Sequence, residues 1–227
     1  MLRKAMASFV SLDMKAQTDL LDGVAALARL FWGPDPESSR ELRQGSFFSP
    51  LEALESRVKY EHPTVFTDLK NIIKELEDEN AIFQYLEEAY VRLFINSREG
   101  ITAPLYASCY VDGTASDENA PLMGPPAVLM SKRFESKGLE MSETMHEPPD
   151  HLSIELEYLY FLLKKGWADN DPALLSEAVS FAGETMLPWV TNLRKRIADE
   201  NRCSFYPLII GVAVSILAYL GRQTLST

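Results

Sequence analysis

At 227 residues, 46% of them hydrophobic and 24% charged, the chain has the composition of a globular protein with a buried core, which excludes extended disorder. Its 22 Lys and Arg against 33 Asp and Glu leave a formal charge of −11, which repels nucleic-acid phosphates and anionic membranes and attracts basic ligands. The two cysteines, Cys109 and Cys203, form no CxxC pair and indicate unpaired thiols in a reducing compartment.

From the N-terminus, Arg3 and Lys4 precede an apolar stretch broken by Ser8, Ser11 and Asp13, so no export signal is read and the chain is expected to be cytoplasmic. Leu20, Leu21, Val24, Leu27, Ala28 and Phe31 recur at helical spacing until Gly33-Pro34 stops them. Further helices are expected over 36–44, ended by Gly45, and over 50–58. Val65, Phe66, Leu69, Ile72, Ile73 and Leu76 mark another. Ile82, Phe83, Leu86, Ala89, Tyr90, Leu93 and Phe94 give the most regular stripe. Residues 96–126 hold three Gly and four Pro and read as mostly loop, a length that in a compact domain signals function or mobility. A helix over 126–136 stops at Lys137-Gly138, and a second, acidic loop runs to Pro149. Helices then resume over 151–165, from Asp171-Pro172 through about Phe181, and over 184–198 and 206–220. The apolar run 205–220 is shorter than the ~20 residues of a membrane span, so it reads as a core helix. The expected architecture is all-α: one domain over 1–227, a single bundle of about ten helices with a long loop on either side of the helix at 126–136.

Acidic residues cluster twice without a basic neighbour. Residues 75–91 hold Glu75, Glu77, Asp78, Glu79, Glu87 and Glu88; residues 139–157 hold Glu140, Glu143, Glu147, Asp150, Glu155 and Glu157. Each cluster is either a solvated face or a site for a basic peptide. Phosphate-binding and nucleotide-binding glycine motifs and a nucleophile elbow are absent, and no cofactor is implied by any motif. His146-Glu147-Pro148-Pro149-Asp150-His151 imitates a zinc HExxH string, but its histidines stand five apart across two prolines, whereas that motif needs them four apart on one helical face. No catalytic set is found, so the chain is not expected to be an enzyme.

The same string, Glu147-Pro148-Pro149-Asp150-His151-Leu152, followed by Glu155-Leu156-Glu157-Tyr158, closely resembles the EPPDHL signature of the TorD/DmsD/NarJ family of redox-enzyme maturation chaperones. Other segments resemble the family in the same order: Ala28-Arg29-Leu30-Phe31-Trp32-Gly33-Pro34, Tyr90-Val91-Arg92-Leu93-Phe94, Ala103-Pro104-Leu105-Tyr106-Ala107-Ser108-Cys109-Tyr110, Leu122-Met123-Gly124-Pro125, and Glu184 with Leu187-Pro188-Trp189. The likeness spans roughly residues 20–220. Asn96-Ser97 replaces the family's frequent Gly-Pro, and Thr185 stands where His is frequent, which leaves the subgroup open.

The resemblance implies a TorD-like helical fold and a cytoplasmic chaperone that binds the twin-arginine signal peptide of a molybdenum-containing oxidoreductase, of the dimethyl sulfoxide or trimethylamine N-oxide reductase type, before export. A NarJ-like alternative is binding of the mature apo-enzyme during molybdopterin insertion. No nucleic acid and no stable membrane insertion are expected, and the chain is a monomer or a helix-swapped dimer. A twin-arginine leader needs carboxylates beside an apolar trough. The residues assigned to peptide binding are Tyr90, Leu93, Phe94, Pro104, Tyr106, Tyr110, Glu147, Pro148, Asp150 and His151. Structural roles compete with that assignment: Asp150 as a helix N-cap, His151 as a hydrogen-bonded structural residue, and Tyr90, Leu93 and Phe94 as core. Trp32, Trp167 and Trp189 read as packing residues, and Glu147 as exposed.

Overall fold

The structure, a computed structural model, describes residues 9–96, 102–110, 123–142, 146–198 and 203–223. The reading of the extreme N-terminus, most of the 96–126 loop and Glu143 therefore lie outside the described residues.

Capping side chains set half of the described helix starts. Asp13 accepts the Ala16 N–H at 2.8 Å and opens α1, Met14–Phe31. Asp35 and Ser38 form a reciprocal capping box ahead of α2, Pro36–Gln44, which Gly45 ends in the left-handed region at φ 78°. α3 covers only Ser49–Glu52, shorter than the expected 50–58. Its carbonyls are taken locally: the Leu51 carbonyl accepts from the Tyr60 hydroxyl at 2.7 Å and from the Leu54 N–H, so the chain tightens into turns. α4 is Val65–Lys74, and α5 is Glu79–Tyr90, capped by Asp78 and continued by a π-helical turn over Val91–Ile95. A 3-10 turn follows at Ala107–Tyr110, then α6, Pro125–Lys137, closed by Gly138 at φ 65°.

The C-terminal half holds α7, Leu152–Ala168, and α8, Pro172–Ser180, which starts at the expected Asp171 cap. Beyond it, the break expected between Phe181 and Glu184 is bridged. α8 runs through a π-helical turn, Phe181–Met186, into α9, Leu187–Arg196. The Leu187 N–H donates to Ala182, five residues back, and Pro188, which has no N–H of its own, follows at once; the widened turn carries the helix past the proline instead of ending it. α10, Phe205–Gly221, is apolar on nearly every side and packs inside the molecule against α9 and the π turn. Among the described residues no helix is long and apolar enough to cross a membrane.

Sequence-distant helices pair: α1 packs on α7, and α2 on α5, while α7 also packs on its successor α8. Their buried faces merge into one apolar cluster that includes Leu20, Leu27, Phe31, Leu86, Leu93, Leu159, Phe205 and Ile210. The all-helical expectation holds. Among the described residues there is no strand, only an isolated antiparallel bridge between Tyr106 and His151, and that bridge lies at the site described next.

Candidate functional site

Two segments far apart in sequence are stitched together by backbone hydrogen bonds. The Ala107 N–H donates to Asp150 at 3.0 Å, and the Leu152 N–H donates to Leu105 at 2.8 Å. Ala103 also donates to Leu93, tying the first segment to the middle of the π turn at Val91–Ile95. The Asp150 side chain completes the joint. Its Oδ2 accepts the Ser108 N–H at 2.8 Å and the Ser108 hydroxyl at 2.5 Å, while Ser108 Oγ accepts the Gly124 N–H at 3.2 Å. Asp150 is fully buried, and desolvation raises its carboxyl above the usual range in spite of the two Ser108 bonds.

The cap of α7 corrects the sequence reading. His151, not Asp150, is the N-cap: its Nδ1 accepts the Ser153 N–H at 3.2 Å. That bond requires a bare Nδ1, and burial pushes the imidazole down to about 4, so the ring is neutral at pH 7. Asp150 instead braces the loop that carries Tyr106. His151 is itself buried, stacked on Trp32 at 5.2 Å and met edge-on by Tyr106 at 5.2 Å.

Around this pair lies a partly exposed polar edge. The Tyr106 hydroxyl donates to Glu147 at 2.5 Å, and the Trp32 indole donates to Glu157 at 2.7 Å. Tyr90 donates to the Phe31 carbonyl at 2.9 Å, and its ring lies beside Gly33, which has φ 109°. Glu147 and Pro148 are half-buried, and Glu157 is exposed. Glu157 also borders a groove of about 220 Å³ lined by Phe134, Leu139, Met141, Ile154, Tyr158 and Phe161, with Glu140 at its margin. The acidic cluster at 139–157 thus has members beside an apolar trough.

Several residues assigned to peptide binding lie elsewhere. Leu93 and Phe94 are buried core, with Phe94 packed edge-on against Tyr206 at 5.1 Å. Tyr110 is buried with its hydroxyl on the Pro104 carbonyl at 2.9 Å, and Pro104 is buried too. Tyr90, Tyr106, Glu147 and Pro148 are brought together at the edge; Asp150 and His151 support it from beneath. His146 and His151 share no metal-binding arrangement with other ligands among the described residues.

The comparisons with known proteins converge on one family. The family model described as "nitrate reductase delta subunit" matches residues 60–195, well over half of the chain. The chain belongs to the TorD/DmsD/NarJ family of redox-enzyme maturation chaperones. It is 24% identical over 207 residues to the chaperone protein TorD of Aliivibrio fischeri, covering 84% of this chain and 90% of that one. It is 23% identical over 201 residues to the chaperone protein TorD of Photobacterium profundum, covering 83% and 89%. A crystal structure described as a redox enzyme maturation protein of Archaeoglobus fulgidus superposes with a TM-score of 0.53 at 18% identity, covering 87% of this chain and 93% of that one, a likeness of fold. The family is a class of non-catalytic chaperones.

In this TorD-like chain one member of the acidic cluster at 139–157 is a core residue, which the acidic run alone does not mark. Glu155 has no exposed surface, and its Oε2 accepts the Trp189 indole N–H at 2.9 Å. Burial raises its carboxyl to about 8, against the pull of the Trp189 bond. The signal was available: Glu155 stands within the apolar stripe of Leu152, Leu156, Leu159 and Leu163, where an acid faces the core. Because its folded pKa lies above the usual 4.5, the stability it contributes is complete below about pH 4.5 and is lost as pH rises toward about 8. His151 works in the opposite sense, its contribution complete above about 6.5 and lost as pH falls toward about 4. Glu155→Gln is therefore expected to hold its urea midpoint between about pH 6 and about pH 8, where the parent's falls; parallel curves for the two proteins would contradict this.

Proposed function

We propose that this chaperone binds the twin-arginine leader of a molybdenum-containing oxidoreductase in the cytoplasm and holds it while the client matures, the chain acting as one domain. The observation that carries the reading is the edge formed by Trp32, Tyr106, Glu147 and Glu157, two carboxylates oriented by aromatic donors, one of which, Glu157, borders an apolar groove. A leader presents two guanidinium groups and then an apolar stretch. Carboxylates meet the first through charge-assisted, two-pronged hydrogen bonds, and the groove meets the second by removing apolar surface from water.

The neutral His151 keeps a competing positive charge away from this edge. Buried Asp150 holds the two segments in register, so the edge needs little ordering when a peptide arrives. Leu93, Phe94, Pro104 and Tyr110 serve this function as its foundation, and Tyr90, Tyr106, Glu147 and Pro148 as its contact surface.

Titrating the chain with a leader peptide carrying an Arg-Arg pair and with its Gln-Gln counterpart tests the proposal. The Arg-Arg peptide is expected to bind at least about tenfold more tightly, and the Glu147→Gln/Glu157→Gln double variant to lose about tenfold with a flatter salt dependence. Equal binding of the two peptides would overturn leader recognition. Undiminished capture of a client lacking its leader would favour the NarJ-like reading, in which the mature apo-enzyme is bound.

A further inference from the structure

Beside the Ala107–Tyr110 turn lies a second concavity. A cleft of about 490 Å³ opens between α6, the Ala107–Tyr110 turn and α9. Its walls are Tyr110, Met130, Pro188 and Trp189, with Leu129 on the lip at 57% exposure. Glu155 forms part of the lining, and Glu184 stands exposed on the rim.

Glu155 is the unusual member. One oxygen takes the Trp189 indole N–H, while Oε1 is buried with no hydrogen-bond partner. Leaving a buried carboxyl oxygen unpartnered is destabilising, and such a group in a concave site calls for a donor from outside the chain. The walls select the donor's kind. Tyr110, Met130 and Pro188 offer apolar surface to a methylene stem, and Glu155 with Glu184 offers negative charge to its tip. Arg133, also in the lining, makes no hydrogen bond to Glu155: it lies over the Phe181 ring at 5.0 Å, 3.8 Å from Glu177, and donates to Thr185 at 3.4 Å.

We propose that this cleft is a second binding site, one that receives a basic side chain, arginine or lysine, of a polypeptide partner and pairs it with Glu155. That the polypeptide is the client's leader rests on the function proposed above; the side-chain chemistry does not. Glu155 has no exposed surface before binding, so a wall side chain must yield, and unbranched Met130 is the one that yields most cheaply. The groups bearing on the acid are Trp189 from α9, Arg133 from α6 and Asp150 ahead of α7. In the empty cleft burial favours the neutral acid, so a cation entering would release its proton.

The Trp189 indole N–H, bonded to Glu155, is a built-in reporter. Its resonance in a nitrogen-15 correlation spectrum, assigned with Trp189→Phe, is followed while the intact chain is titrated with N-acetyl-argininamide, with the blocked citrulline analogue, and with the Arg-Arg peptide. The arginine compound is expected to shift the resonance saturably and citrulline not to. Glu155→Gln, which keeps an acceptor for the indole and removes the charge, is expected to weaken the response at least tenfold with an otherwise folded spectrum. A Trp189 resonance that ignores arginine and peptide alike, or an equal response from Glu155→Gln, overturns the cleft. Peptide that binds the parent, and is lost in Glu147→Gln, while the parent's Trp189 responds neither to it nor to blocked arginine would sink the cleft but keep the leader proposal. A response to blocked arginine with no peptide binding at the edge would keep the cleft and sink that proposal.

Discussion

Asp150→Ala is expected to cost about 2–4 kcal/mol of folding stability, because it leaves the Ser108 N–H and hydroxyl buried without their acceptor. Asp150→Asn keeps an acceptor of the same shape and should cost about 1 kcal/mol, the penalty of placing an amide N–H₂ where Oδ1 has no partner. Urea unfolding followed by circular dichroism separates the two. The distinction bears on function. Asp150 sits in the signature string and invites reading as a direct ligand of a basic peptide, yet it has no exposed surface. At temperatures where both variants are fully folded, Asp150→Asn should bind an Arg-Arg peptide nearly as the parent does. A large loss of affinity in a folded, stable Asp150→Asn would show that the carboxylate acts on the peptide itself.

Gly183→Ala should be destabilised by about 1–3 kcal/mol or more, although alanine is intrinsically the better helix former by about 1 kcal/mol. A Cβ at Gly183 would stand 2.7 Å from the Gly221 Cα, and one at Gly221 would stand 2.6 Å from the Gly183 Cα. Both obstacles are backbone, so no rotamer change relieves them. The π turn and the end of α10 would have to separate, opening the core that Ile216, Leu217 and Leu220 fill. Gly211 supplies the control. A Cβ there would have only Arg194 Nε nearby, at 4.0 Å, so Gly211→Ala should be neutral or stabilising by up to about 1 kcal/mol. Thermal melts of the two variants check the contrast, and equal shifts would refute the close crossing.

Most of the fold is legible where one local rule dominates. Asp35-Pro36 and Asp171-Pro172 announce helix starts, Gly45 and Gly138 announce ends, and the Ile82–Leu86–Ala89–Leu93 stripe announces a buried face. Legibility fails where a distant partner decides. The turns after Glu52 depend on the Tyr60 hydroxyl, and the π turn before Pro188 depends on room left by Gly221. The site follows the same division. Glu147, Tyr106 and Tyr90 fall together, but the roles of Asp150 and His151 are the reverse of what N-cap statistics favour for an Asp-His pair. Leu93 and Phe94 obey their helical stripe and go to the core. Trp32 reads as packing because nothing local pairs it with Glu157 and His151.

The bond from Trp32 to Glu157 joins residues 125 positions apart. At ~5–20 residues per second, a ribosome needs roughly 6–25 s to travel between them. Until α7 emerges, α1 has α3 against it but lacks the helix on which it packs most, and the edge made by Trp32, Tyr106, Glu147 and Glu157 does not exist. A chaperone built this way is itself, for those seconds, a nascent chain with greasy surface to hide, and the edge proposed to receive the client's leader forms only after synthesis has passed residue 157.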